Sequence, residues 1–125
     1  MGTGNIRIAV ATGKNGGLDD RVSDVFGRTD TFTLIDVDKG QIKNVKILKN
    51  PAVSYEHGAG PIVVKTLVDL GVNIVIGSEL GPGALALIKQ HNISMVKVNR
   101  GTLVSDAIKK VGLELRGRVK IQKKN

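Results

Sequence analysis

Residues 58–98 read GAGPIVVKTLVDLGVNIVIGSELGPGALALIKQHNISMVKV, and this stretch decides the fold. The GAGP at its start and the GPG at 81–83 each open a segment whose apolar residues recur at helical spacing. The first helix is followed by a β-branched run at 72–76, typical of a buried parallel strand, and the second by another strand at 94–98. The stretch therefore predicts two helix–strand units in an α/β sheet.

The remaining sequence supplies the other strands and a last helix. A short apolar run at 6–11 predicts a first buried strand, and 31–37 and 41–48 predict an antiparallel hairpin around the turn DKG. A third helix with one apolar face is predicted from Gly101-Thr102 to Gly112. The order predicts a three-layer α/β/α domain over residues 1–112, with three helices and a mixed sheet of about five strands.

The composition is that of an ordinary globular protein, 41% hydrophobic and 24% charged over 125 residues. This length suits one domain. No apolar run approaches the roughly 20 residues of a membrane span. The N-terminus MGTGNIRIAVATG lacks the apolar stretch of a signal peptide, so a cytoplasmic protein is predicted.

The absence of cysteine limits the chemistry. It excludes a cysteine nucleophile, a zinc ribbon and an iron–sulfur site made of cysteines alone. The chain holds two histidines far apart in sequence and shows no G-x-S-x-G or Ser–His–acid set. These absences count against a hydrolase.

The net charge of +8 is concentrated at the C-terminus. Residues 113–125 carry five basic residues against one glutamate, a net of +4. Their apolar and charged residues alternate with strand period, which favours an added edge strand or partner-bound strand over an arm that binds anions or nucleic acid. The tail leaves monomer and homodimer open. Because the chain has two Phe, one Tyr and no Trp, few side chains could stack on nucleic-acid bases.

Glycines stand at both of the predicted helix starts in residues 58–98, namely Gly58, Gly60, Gly81 and Gly83. At such a start, free backbone N–H groups and the positive end of the helix dipole point outward. Glycine also lets a ligand approach the backbone closely. The pattern indicates a site for an anion or cofactor, although tight turns alone would also explain these glycines.

Of the two histidines, His57 is the candidate for chemistry. It directly precedes the first glycine-rich helix start, where its imidazole could be a metal ligand, a proton donor to a bound anion, or a helix cap. His91 lies near the end of the second predicted helix, where the dipole favours imidazolium, and a structural role is predicted for it.

The loop after the first predicted strand is rich in carboxylates. Asp19, Asp20, Asp24 and Asp30 could bind a hard cation. The arginines between them favour a surface loop held by ion pairs instead.

Four segments of the chain resemble the dinitrogenase iron–molybdenum cofactor biosynthesis family, which includes nitrogenase cofactor carriers and small stand-alone archaeal and bacterial proteins. They are IRIAVAT, RVSDVFGRTDTFTLIDVDKG, NPAV with the following EHGAGPIVVKTLVDLGVNIVIGSELGPGALALI, and SMVKVNRGTLVSDAI. Together they cover about residues 6–108, and the tail after Gly112 lies outside the resemblance.

The resemblance implies a ribonuclease-H-like fold and non-catalytic binding of an anionic iron–sulfur or iron–molybdenum-type cofactor or precursor, with an acceptor protein as a partner. Arg28, in the matching F-G-R, is the expected charge partner of such a cofactor. Many family members have a histidine just before F-G, where this chain has Val25. His57 is therefore the only histidine in a matching segment and the expected metal ligand. The alternative is an adaptor or nucleic-acid-associated protein that acts through its basic surface and tail.

Overall fold

The computed structural model describes residues 5–55 and 57–112. These residues form five strands and three helices in the order β1, β2, β3, α1, β4, α2, β5, α3. The bounds are Asn5–Thr12 (β1), Thr31–Asp38 (β2), Gln41–Lys49 (β3), Ala59–Asp69 (α1), Ile74–Gly77 (β4), Pro82–Gln90 (α2), Ser94–Lys97 (β5) and, in its described part, 104–112 (α3). None of the described helices is long and apolar enough to cross a membrane.

The strands form one mixed sheet in the order β3-β2-β1-β4-β5. The first strand runs antiparallel to β2 and parallel to β4, and β5 is parallel to β4. Because β3 is antiparallel to β2, it points the same way as β1. The carboxyl ends of β1, β3, β4 and β5 therefore lie at one edge of the sheet, called here the carboxyl edge.

The central strand β1 is buried on both faces from Ile8 to Thr12, because helices cover both sides of the sheet there. Ala9 and Ala11 face one core, which is closed by α1 and α2. Ile8 and Val10 face the other core, which includes Val104 and other residues of α3. We call the side of the sheet that carries α1 and α2 the first face. The side that carries α3 is the second face. The alternation of small and large residues along β1 thus matches a sheet covered by helices on both faces.

The predicted α/β class, with three layers, three helices and a five-stranded mixed sheet, is confirmed. The ribonuclease-H-like label stays a prediction. Two elements start later than their sequence patterns indicate. The fourth strand begins at Ile74. Helix α3 begins at 104 because residues 101–103 pair with the loop after β1. In this pairing the Val22 N–H donates to the Thr102 carbonyl, and the Gly101 N–H donates to the Val22 carbonyl. The predicted strand in the tail lies outside the described residues.

One ion pair joins the hairpin to β1 and to the end of α1. The Arg7 Nε lies 2.7 Å from the Asp36 carboxylate, and Arg7 Nη1 donates to the Leu70 carbonyl at 2.7 Å. The hydrogen bond from Arg7 lowers the pKa of Asp36, and burial opposes this shift only in part. The same hydrogen bond raises the pKa of Arg7.

Replacing Asp36 by Asn should lower the free energy of unfolding at pH 7 by about 0.5–1 kcal/mol, a value discounted for solvent screening of this part-exposed pair. Because the folded-state pKa of Asp36 is depressed, the stabilisation is present above the ordinary value of 3.8 and is lost as the pH falls through the folded-state value. Urea unfolding at pH 7, 4 and 2 should show the two proteins converging. The control is Asp69→Asn, in an exposed pair 3.8 Å from Lys65, which should have little effect at any pH. A difference that persists unchanged at pH 2 would show that the charge of Asp36 is not responsible.

Candidate functional site

Four loops meet at the carboxyl edge: 13–30 after β1, 50–58 after β3, 78–81 after β4 and 98–103 after β5. Three of them hold the motifs that the sequence singled out. Loops that follow neighbouring strands at this edge are where open α/β sheets bind ligands. The topology therefore gathers the candidate residues, which are separated in sequence, at one end of the domain.

Close backbone packing joins three of these motifs. A Cβ atom placed on Gly27 would lie 3.0 Å from the backbone nitrogen of Gly60, in the first turn of α1. A Cβ atom placed on Gly60 would lie 3.2 Å from the Cβ of Ala84, in the first turn of α2. The starts of α1 and α2 and the F-G-R segment are therefore in direct contact. Glycine at 27 and 60 is explained by this packing, so these two positions do not by themselves indicate a ligand.

Asn50 holds the F-G-R segment against the start of the loop 50–58. Its side-chain amide donates to the carbonyls of Gly27 and Thr29, each at 2.8 Å, and its side-chain oxygen accepts the Ala52 N–H at 2.8 Å. The residue is only 4% exposed. The sequence indicated only that Asn50-Pro51 ends the hairpin, because no local pattern reports hydrogen bonds to residues more than twenty positions away.

At the start of α2 the backbone is exposed and is not covered by side chains. Gly81, Pro82 and Gly83 are all exposed, and no side chain caps this helix. A Cβ atom on Gly81 or Gly83 would meet nothing within 4 Å, and neither glycine has the positive φ that other residues avoid. Neither packing nor backbone conformation therefore requires glycine at 81 or 83. Since Pro82 has no N–H, the free donors of this first turn are those of Gly83 and Ala84.

The start of α1 differs from that of α2. Gly58 has φ of 75° and ψ of 12°, a left-handed conformation that favours glycine. No side chain caps this helix either, and Pro61 removes one of its first N–H groups. The predicted helix start at Gly58 to Pro61 is confirmed, whereas a ligand at it stays a prediction.

The start of α3 is closed to ligands by the loop after β1. The N–H groups of Val104 and Ser105 donate to the carbonyls of Asp20 and Leu18, at 2.9 and 3.2 Å. The free donors of that first turn are thus used within the protein. Of the three helix starts, that of α2 is exposed, and that of α1 adjoins it but has Gly27 packed against its Gly60 nitrogen.

The predicted site residues fall into two groups. His57 is exposed and directly precedes Gly58, so it lies beside the paired starts of α1 and α2. Arg28 directly follows Gly27, but its exposed side chain lines a cleft of about 690 Å³ with Lys14, Arg21 and Arg100. The cleft is formed by the loops 13–30 and 98–103 and does not include the glycines of α1 and α2. The structure thus packs Gly60 against Ala84, the neighbour of Gly83, and His57 and Gly58 directly precede α1, whereas the Arg28 side chain lies on an adjoining surface. His91 caps the far end of α2, in keeping with its predicted structural role.

The carboxylates of the loop 13–30 mainly organise its backbone. Asp20 accepts hydrogen bonds from the N–H groups of Lys14 and Gly16, at 2.9 and 2.8 Å. Arg21 donates to the Gly101 carbonyl rather than to an aspartate. Among residues 5–55 and 57–112, the only ion pair of this loop is Asp24 with Arg100 at 3.9 Å, so the prediction of a loop held by ion pairs is wrong. The same residues contain no group of three metal-binding side chains.

Buried threonines fasten the same loop to the end of the sheet. Thr33 accepts the Gly17 N–H at 2.9 Å, and Thr31 donates to the Lys14 carbonyl at 3.1 Å. Thr29 donates to the Thr12 carbonyl at 2.6 Å. No pattern in the sequence marks this cluster, since threonine at strand ends is common and the partners are distant in the chain. The carboxyl edge is therefore built on fixed polar contacts rather than on loosely held loops.

The fold defines a small three-layer α/β protein whose glycine-rich helix starts lie at the carboxyl edge. The chain matches the family described as "Dinitrogenase iron-molybdenum cofactor" over residues 5–113, and it belongs to that family. The match includes the F-G-R, N-P-A and both glycine-rich helix starts, so the predicted family is confirmed.

Named relatives agree with this assignment. The chain is 35% identical over 89 residues to the uncharacterized protein MJ0580 of Methanocaldococcus jannaschii, covering 71% of this chain and 75% of that protein. The apo form of the orange protein from Desulfovibrio gigas has a similar structure, with a TM-score of 0.74, 27% identity, and coverage of 84% of this chain and 85% of that one. The crystal structure of PH0822 matches with a TM-score of 0.72, 28% identity, and coverage of 86% and 90%.

Asn50 provides a test of how the carboxyl edge is held. Asn50→Ala should lower the free energy of unfolding by about 2–3 kcal/mol, because it leaves two buried carbonyls and one buried N–H without partners. Urea unfolding measures the effect. Asn50→Asp keeps the acceptor for Ala52 and loses only the two donors. If Asn50→Ala changes stability by less than 1 kcal/mol, water replaces these bonds and Asn50 does not fix the F-G-R segment.

Proposed function

We propose that this protein is a non-catalytic carrier for an anionic iron–sulfur or iron–molybdenum-type cofactor or its precursor. The site consists of the adjoining starts of α1 and α2, with His57 beside them. Membership of the family supports a role connected with such a cofactor. The orange protein, whose structure is of an apo form, is a structural relative.

The exposed start of α2 is the observation that carries the proposal. Gly83 is the second residue of α2, and replacing a glycine in such an unstrained conformation by alanine stabilises a protein by about 0.4–1 kcal/mol. The space around it would accept a Cβ atom without contact. Packing therefore does not explain the glycine at 83. The lack of a side chain there leaves the first N–H groups of α2 open to a bulky ligand. Because the N-terminal end of a helix is positive, such a ligand would be an anion.

The donor set decides what kind of cluster fits. The chain has no cysteine, and its described residues contain no group of three metal-binding side chains. The protein could not complete the coordination of bare iron ions with the residues of this site. A cluster that carries its own sulfide fits better, because backbone N–H groups can hydrogen-bond to its outer atoms. His57 would then be the one side chain able to bind a metal directly.

Arg28 contributes through charge in this proposal. Its guanidinium lies on the surface that adjoins the glycine-lined start of α1, together with Lys14 and Arg100. Asp19, Asp20, Asp24 and Asp30 line the same cleft, so its formal charges balance, and Arg28 would act on a bound cluster at short range rather than through a positive surface. The cofactor would be carried unchanged to an acceptor protein, so the residues of the site bind and orient it and catalyse no reaction.

The carrier function is tested by mixing the protein anaerobically with isolated iron–molybdenum cofactor and assaying iron and molybdenum in the protein peak after gel filtration. We expect stoichiometric metal with the unaltered protein and a loss of most of it with His57→Ala. His91→Ala, at the other end of α2, is the matched control and should retain the metal. An empty peak with the unaltered protein would refute the carrier function itself. Equal retention by both variants would refute only the role of His57.

Gly83 gives an independent test, because stability and binding should change in opposite directions. Gly83→Ala should raise the free energy of unfolding by about 0.5–1 kcal/mol, since it improves the helix without a clash. The same change should weaken retention of the cofactor, and Gly83→Val should weaken it further. Lys89→Val, near the end of α2, is the control for a valine in this helix. Retention that is unchanged across the Gly83 series would show that the cofactor does not contact the start of α2.

A further inference from the structure

The edge strand β3 exposes an apolar strip that no described element covers. Ile42 is 42% exposed and Ile47 is 52% exposed, and all but two residues of this strand are classed as exposed. Val45 and Ile47 lie opposite Ile35 and Thr33 of β2, so they share the second face of the sheet. The core of that face includes residues of α3 and of β1 and β4, whereas Val45 only packs against its margin.

The same strand is strongly basic. Residues 39–49 hold Lys39, Lys43, Lys46 and Lys49 and no carboxylate. None of the salt bridges within 5–55 and 57–112 uses one of these lysines. The nearby Asp36 is already paired with Arg7, although Lys46 also acts on it through its charge. The positive charge of β3 is thus left for a partner.

The backbone restricts where a partner could pair. The register between β2 and β3 shifts between Asp36 and Val37, so that Lys43 is the extra residue of a bulge. Bulges interrupt regular pairing. The regular part of the free edge therefore runs over residues 44–49, which is long enough to pair with about six residues of another chain.

Charge selects among the three candidate occupants. A second copy of β3 would bring lysines against lysines, and lysine on an edge strand opposes such self-pairing. The chain's own residues 113–125 are also basic, with a net charge of +4 from five basic residues and one glutamate. The lysines of β3 would repel a second copy of β3 and the basic residues 113–125, but they would attract an acidic partner.

We infer that the free edge of β3 binds an extended segment of another protein in which apolar residues alternate with Asp or Glu. Main-chain hydrogen bonds along 44–49 would add the segment to the sheet as a sixth strand. Its apolar side chains would cover Val45 and Ile47 on the second face, and its carboxylates would point to the first face and pair with Lys46, while Lys43 and Lys49 would add attraction along the edge. This surface is on the side of the sheet away from β4 and β5, so the inference stands independently of the proposed cofactor site.

The experiment uses the full chain and a fluorescent peptide of the sequence Ser-Glu-Val-Glu-Val-Glu-Val-Ser. Binding is followed by fluorescence anisotropy, and its location by amide hydrogen exchange. We expect saturable binding that weakens as salt is added, with new protection of amides in 44–49 and none in β5, the other edge. A peptide with lysine in place of glutamate should not bind.

Charge reversal provides the matched variants. Lys43→Glu with Lys49→Glu should weaken binding of the acidic peptide about 10-fold or more and should create binding of the lysine peptide. This pair leaves Lys46 beside Asp36 unchanged. Lys89→Glu with Lys109→Glu, on exposed positions of α2 and α3, changes the net charge equally and should leave binding intact.

Five outcomes would overturn the inference. The acidic peptide could fail to bind or bind without protecting β3, or the charge reversals on β3 and on the helices could have equal effects. Protection of β3 could rise with protein concentration alone, which would make a second copy the occupant. A peptide of residues 113–125 could protect β3 in a chain truncated after Gly112, which would make the tail the occupant.

Discussion

The packing of Gly27 on the first turn of α1 is the contact on which the carboxyl edge depends. Any side chain at 27 would press on the backbone nitrogen of Gly60, and any side chain at 60 would press on Ala84. The three backbones can meet only because two of these residues are glycine. Asn50 fixes the contact by binding two carbonyls of the F-G-R segment. The distance between the starts of α1 and α2, and hence the width of the proposed site, follows from these few contacts.

The sequence predicted the elements well because their signals are local. Apolar periodicity marked all three helices, and the DKG turn between alternating runs marked the hairpin, which the structure places at Thr31–Asp38 and Gln41–Lys49. The roles of Asn50, Asp20 and the buried threonines could not be predicted, since each depends on backbone groups that only the fold brings near. The same reason explains the error over the acidic loop. Arg21 and Asp20 are neighbours in sequence, but each binds a different part of the backbone.

For the candidate site, the sequence located the glycine-rich helix starts but could not tell whether each glycine serves packing or ligand binding. The structure does so only in part, by giving Gly27 and Gly60 a packing reason and leaving Gly81 and Gly83 without one.

The two proposed surfaces occupy different parts of the sheet. The proposed cofactor site lies at the carboxyl edge, where α1 and α2 begin, and the basic strip lies along the outer side of β3. A protein bound along β3 would therefore leave the starts of the helices accessible. The hairpin is joined to β1 through the whole length of β2, and the loop 13–30 is tied to the same strands by Thr31 and Thr33.

The lack of cysteine has a consequence for how a cofactor would be released. A cluster held by thiolates is bound through strong metal–ligand bonds, and its transfer requires exchange of each of them. A cluster held by backbone N–H groups, one imidazole and nearby guanidinium charge can leave as a unit, because most of its contacts are hydrogen bonds and screened electrostatic attraction. His57 is exposed and lies at the border of the site, so a ligand from an acceptor protein could replace it without entry into the core. Weak outer contacts on a rigid frame suit a carrier better than a permanent cluster protein. The hydrogen bonds of Asn50 and the contacts of the glycines hold the frame in place. The contacts to the cluster would be weak because they come mainly from backbone N–H groups rather than from a set of metal-binding side chains.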